Sequence, residues 1–230
     1  FGIVQARTLP DITRPMHWWR LHRDLIPKLS AEAVVLSGAQ PLTLFAVGGV
    51  AGIAAVGTLR AAQVLMNALN IVTQGIRLSA VPAATRVVRR SPGALVRVCF
   101  VIGAGLALVS LGWTAVLILM PYSWGQELLG DTWASARELI LPVGLATAAG
   151  SFQVGGHIGL RALAAARQSL VARSVGSIAV LVCGVLGAVV ADAPGAAWGL
   201  ALGAGIGALA WWRQLIAGRR HHDSIIDPQG

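Results

Sequence analysis

The sequence predicts an all-α, polytopic membrane protein of six transmembrane helices with both termini cytoplasmic. Three observations predict it. Hydrophobic residues make up 56% of the 230, and only 12% are charged, about half the share of an ordinary soluble domain. Charge-free stretches long enough for a bilayer span recur along the chain. The basic residues gather between alternate pairs of those stretches. A soluble domain of this size could not hide so much apolar surface, and its exterior would lack charge. The mean hydropathy of +0.71 excludes a disordered tail as well.

The first 30 residues read as a cytoplasmic basic linker. Residues 14–28, RPMHWWRLHRDLIPK, mix Trp18, Trp19, Leu21, Leu25 and Ile26 with Arg20, His22 and Arg23. That mixture suits an interfacial helix on an anionic leaflet. The plainer reading is a loop between two spans, and the two are compatible. No signal-peptide pattern precedes it, and the start at Phe1 reads as a cut through a longer protein.

A transmembrane lobe follows over 31–213, with a cytoplasmic tail over 214–230. Residues 33–59, 98–126, 139–160, 174–191 and 193–212 carry no charge, and 61–76 is charge-free between Arg60 and Arg77. A span needs about 20 mostly apolar residues. The predicted helices are 31–50, 53–80, 95–120, 135–159, 172–191 and 195–213.

The charges orient this layout. Arg7, Arg14, Arg20, Arg23 and Lys28 precede the first span. Arg86, Arg89, Arg90 and Arg97 lie between the second and third, and Arg161, Arg167 and Arg173 between the fourth and fifth. Arg213, Arg219 and Arg220 follow the sixth. All fall on one side. The other side has Glu127, Asp131, Glu138 and Asp192, with only Arg137. Basic loops mark the cytoplasmic face. Trp124, Trp133 and Trp198 lie at the outer boundary, and Trp18, Trp19, Trp211 and Trp212 at the inner one, as an aromatic belt. Trp113 is the exception, deeper in the third helix. The basic balance of +9 is therefore read as topology, and no nucleic-acid partner is expected.

One polar pattern stands out. Arg60, Gln63, Asn67, Asn70, Gln74 and Arg77 follow one another at spacings of 3 and 4, within about 100° of arc on the second helix. Bare amides and guanidinium groups in lipid cost several kcal/mol. The stripe must face protein or water. Asn and Gln often serve only as hydrogen bonds between helices, but two bracketing arginines exceed what packing needs. Arg60 lies about 10 Å below the outer boundary, and Arg77 near the inner one. An arginine in a cavity suits a phosphate or pyrophosphate. Two further candidates for substrate binding are Gln40, with Ser37 and Thr43 on the first helix, and His157, with Gln153 and Arg161 on the fourth. A lone histidine of that kind is more often a packing residue. Gly199, Gly203 and Gly207 form a small-residue ridge on the sixth helix, suited to close packing.

No Walker, GxSxG or HExxH motif is present. Cys99 and Cys183 lie apart in apolar runs, and the histidines at 17, 22, 221 and 222 lack a ligand set. No catalytic residue, metal or cofactor is expected, and the chain reads as a non-enzyme.

The second helix, GIAAVGTLRAAQVLMNALNIVTQGIRLSAVPAATRVVRR, with LLGDTWASARELILPVGL and GLRALAAARQSLVAR, resembles the C-terminal half of polysaccharide flippases. These belong to the multidrug, oligosaccharidyl-lipid and polysaccharide exporter superfamily. The resemblance covers about residues 28–215. It implies one six-helix lobe of a two-lobe fold around a central cavity in the bacterial cytoplasmic membrane, and an N-terminal six-helix half as partner. It implies a lipid-linked (undecaprenyl-pyrophosphate) saccharide as cargo, moved by alternating access. Arg60 and Arg77 would then meet the pyrophosphate, and Gln63, Asn67, Asn70 and Gln74 the sugars. Buried acids for cation coupling are not visible. Three other readings stand beside it. A small-molecule exporter of the same superfamily wants an acidic or aromatic cavity. A polyprenyl-phosphate glycosyltransferase or polymerase wants carboxylates on an outer loop, for which Glu127, Asp131 and Glu138 are candidates. A non-transporting envelope scaffold is the fourth.

Overall fold

A computed structural model describes residues 41–67, 69, 75, 94–163 and 165–226. The chain divides into two compact units, 1–41 and 42–230, and the second holds every described residue from Leu42 onward. Among the described residues the fold is all-α, with no strand. The helices are α1 (Pro41–Asn67), α2 (Leu95–Leu119), α3 (Tyr122–Leu129), α4 (Trp133–Ala162) and α5 (Ala166–Ile226). Four helical stretches are long and apolar enough to cross a membrane: α1, α2, the α3–α4 stretch, and α5 over Arg167–Arg219.

The charge-free runs predict six spans where the structure has four such stretches. Two of these stretches contain an internal reversal. In α5, Ala191 (φ −150°, ψ 40°) and Asp192 (φ 48°, ψ −131°) leave helical geometry. Beyond them the chain turns back on itself. Gly187 meets the backbone of Gly195, Gly199 meets Cys183, Gly203 meets Val180 and Gly207 meets Gly176. One partner rises as the other falls, so the arms 166–190 and 193–226 are antiparallel. At Gly187, Gly199 and Gly203 a Cβ would collide with backbone, and at Gly207 it would stand a tight 3.2 Å from Gly176. Lipid supplies no hydrophobic drive for helix pairing, so such close approach carries the association. In α1 the break is Gly52, at φ +85°. A Cβ on Gly48 would stand 3.0 Å from Val56. Eight residues of straight helix would separate these two by about 12 Å, so this stretch too folds back.

Between these hairpins runs a third antiparallel pair. α2 stops where Met120 turns extended (ψ 134°) ahead of Pro121, because proline disfavours helix in the residue before it. α3 follows at once, with Pro121 in the N-cap position. It ends at Gly130, whose φ of 58° suits glycine and whose N–H reaches the Gln126 carbonyl. A single 3-10 turn, Gly130–Thr132, leads into α4. The predicted helices 95–120 and 135–159 leave 121–134 without helix, and α3 corrects that expectation.

α4 is the central helix. Its glycines admit α2 on one side, with Gly144 against Thr114 and Gly155 against the Cys99 carbonyl. The Ser110 and Ser151 hydroxyls bond at 2.8 Å across the same seam. On another side Gly156 meets Trp211 and Gly159 meets Leu215. Those partners rise together, so α4 and the second arm of α5 are parallel. Pro142 is buried within α4; it removes one helical hydrogen bond there.

Two apolar clusters lie at opposite ends of the lobe. One joins Leu59, Ala62 and Met66 of α1 to Leu117, Trp133, Ile140, Val143 and Ala197. The other joins Leu95, Cys99, Val154, Ile158, Leu160, Ala172, Trp211 and Leu215. The Trp133 ring is fully buried and lies on Gly125, where a Cβ would enter the indole.

Candidate functional site

The arm 53–67 carries the described part of the polar stripe. Ala55, Leu59, Ala62 and Met66 recur at spacings of 4, 3 and 4, and all four are buried. They define the inward face. Arg60 and Asn67 are exposed and Gln63 is half-buried. At 100° per residue their mean direction is about 100° from the buried strip. The stripe therefore runs along a flank of the arm.

The opposite flank is held by α2. The Trp113 indole Nε1 donates to the Leu65 carbonyl oxygen at 3.0 Å. Leu65 sits on the other side of the buried strip from Arg60, Gln63 and Asn67. Trp113, the tryptophan too deep for an interfacial belt, thus ties α2 to α1. This contact turns the polar flank away from α2. Periodicity alone does not reveal the bond, although the odd depth of Trp113 is a signal for it.

Gln40, Asn70, Gln74 and Arg77 lie outside the described residues. His157 is described, and it stands apart from Arg60. Its ring meets Trp211 edge-on, with centroids 5.2 Å apart at 68°, beside Ile158 of the second cluster. Leu59, next to Arg60, packs in the first cluster with Val143. Val143 and His157 are 14 residues apart on α4, about 21 Å along the axis. The structure therefore does not bring His157 to the Arg60 end of the stripe.

Gln153, on the same face as His157, has a packing role. Its Nε2 donates to the Ala204 carbonyl at 2.9 Å, between α4 and the second arm of α5. The predicted Gly199–Gly203–Gly207 ridge lies where that arm meets the first arm.

Electrostatically the described lobe is polarised. Glu127, Asp131, Glu138 and Asp192 are exposed at the end that holds Trp133. Arg97, Arg161, Arg167 and Arg213 are exposed at the end that holds Leu160 and Leu215. Two arginines depart from this pattern: Arg137 is exposed beside Glu138 at the Trp133 end, and Arg60 is a guanidinium on the long side of an apolar helix. No family model, curated protein or solved structure matches the chain.

Proposed function

We propose that this chain is one lobe of a flippase for lipid-linked oligosaccharide or polysaccharide precursors in the cytoplasmic membrane. The observation that carries the reading is the flank of α1. Arg60 and Asn67 are exposed there, while the inward face of the same arm is sealed. A guanidinium cannot stay on a lipid-facing helix side without large cost. A water-filled cavity closed by a second lobe covers Arg60 at least cost. A cationic, amide-rich wall then selects a pyrophosphate carrying hydroxyl-rich sugars.

The six-span layout with cytoplasmic termini belongs to the same proposal. The reversals at Gly52 and at Ala191–Asp192 support it, as does the gathering of the exposed carboxylates at one end and of Arg97, Arg161, Arg167 and Arg213 at the other. In this layout Gln63, Asn67, Asn70 and Gln74 meet the sugars, and Arg60 and Arg77 the pyrophosphate. Gln40 and His157 stand at the margin of the site.

Replacing Arg60 by Ala in the full-length protein tests it. Surface polysaccharide should be lost while membrane expression of the protein is kept. Normal polysaccharide with the variant at wild-type level overturns the cavity assignment.

A further inference from the structure

Five arginines converge at one end of the lobe. Arg97 lies two residues from both Leu95 and Cys99. Arg161 follows Leu160, Arg173 follows Ala172, and Arg213 lies two residues from both Trp211 and Leu215. All six neighbours are buried in the same apolar cluster. Arg167 joins them through the turn after α4: a Cβ on Gly218 would stand 3.4 Å from Leu160, 3.7 Å from Ala165 and 3.9 Å from Gln168. Residues one or two from a buried helical position point well away from it. The side chains accordingly fan outward around the plug, four exposed and Arg173 half-buried.

Three properties make this collar more than a topology mark. A positive-inside bias requires basic residues on one side of the membrane, but not their gathering from α2, α4 and both arms of α5 around one plug. The exposed carboxylates of the described side chains are at the other end, so the collar is not internally neutralised by them. Finally, every member is arginine, whose planar fork pairs bidentately with phosphate. Beside the plug, Trp212 stacks on Phe152 at 5.0 Å and 28°, and Phe100 meets both rings edge-on. Of these rings, tryptophan is the type that favours headgroup depth.

We infer that the collar of Arg97, Arg161, Arg167, Arg173 and Arg213 binds the headgroups of anionic phospholipids. This does not rest on the flippase reading; it requires only that the chain lies in a bilayer. The acyl chains would lie along the exposed apolar sides of α2 and α5, where Val101, Leu108 and Ile178 face outward.

The test is native mass spectrometry of the purified full chain, delipidated and titrated with phosphatidylglycerol or phosphatidylcholine. Phosphatidylglycerol adducts should form at least tenfold more readily. The combined Arg161→Gln, Arg167→Gln, Arg213→Gln variant should lose ~100-fold in phosphatidylglycerol affinity, at about fivefold per arginine. Arg137→Gln, on the opposite end, should keep it. If the triple variant does not fold, salt on the wild-type chain decides: the preference should shrink between 50 and 500 mM (about 14 and 4 Å of screening length). Equal uptake of both lipids, a preference untouched by salt, or one retained in the triple variant overturns the inference. Displacement of phosphatidylglycerol by micromolar inorganic pyrophosphate overturns it too, because the collar would then serve a soluble anion.

Discussion

The Trp113 indole N–H donates to the Leu65 carbonyl at 3.0 Å, and this bond sets which flank of α1 is turned from the protein. A Trp113→Phe substitution keeps most of the ring and removes the donor. Hydrogen bonds between membrane helices contribute about 0.6 kcal/mol on average and about 1.7 at most. We expect a small loss of thermal stability for the purified chain and easier modification of a cysteine placed at Asn67. Unchanged melting and labelling would show that the bond does not hold the arm.

Ser110 and Ser151 should be coupled across the α2–α4 seam. Their hydroxyls are 2.8 Å apart and buried, and Ser110 also bonds the Leu106 carbonyl. A double-mutant cycle with Ser110→Ala and Ser151→Ala should return about 0.6 kcal/mol of interaction energy. Strict additivity of the two single changes would refute the contact.

Glycines of the same helix should differ sharply. Gly203 faces the Val180 backbone, whereas Gly205 has open space around it. Overpacking costs typically about 1–3 kcal/mol, so Gly203→Val should lower the melting temperature or abolish folding. Gly205→Ala should be neutral or stabilising, since alanine exceeds glycine in helix propensity by up to about 1 kcal/mol. Equal melting of the two variants would contradict the hairpin packing.

Asp192 holds φ 48° and ψ −131°, outside the left-handed helical well that Asn and Asp visit and in a region that favours glycine. Asp192→Gly should be neutral or stabilising, and Asp192→Asn should change little. Asp192→Val should destabilise by about 1–3 kcal/mol. A valine variant as stable as the glycine one, by thermal unfolding, argues against the reversal at this residue.

The stripe gives the functional prediction. On the proposed flippase reading, Arg60→Lys keeps charge but loses the fork, so surface polysaccharide should fall, by less than for Arg60→Ala. Gln153→Ala should instead act through stability, since its amide already serves the Ala204 carbonyl. Assembly of surface polysaccharide at equal protein level separates the two effects.

These residues also show what periodicity can and cannot reveal. The shared flank of Arg60, Gln63 and Asn67 was legible because 3–4 spacing maps directly onto direction around a helix. The turn positions near Gly52 and Asp192 were legible from glycine, proline and the lone acid between two apolar runs. The ridge of Gly199, Gly203 and Gly207 was legible for the same reason. Partnership was not. A helical wheel carries no information on depth relative to another helix, so His157 could not be separated from Arg60 in advance. Trp113 and Leu65, 48 positions apart, meet only because the folded seam sets their heights. α3 escaped because an eight-residue helix has too little length to announce itself. Its marks were Pro121 before it and Gly130 after.

The reversal at Asp192 bears on how the chain is made. From 174 to 212 the only charged side chain is that one carboxylate, and it sits at the tip of two arms already matched glycine to backbone. Such a unit need not thread a hydrophilic loop through the bilayer. It can enter the membrane as a closed pair, with one aspartate as the entire polar cargo of the insertion step. A carboxylate at mid-membrane costs about 2.5–3.5 kcal/mol on the biological insertion scale, well within what two apolar arms supply. An added arginine beside Asp192 would double that barrier, and delayed or inverted insertion during synthesis would be its first symptom.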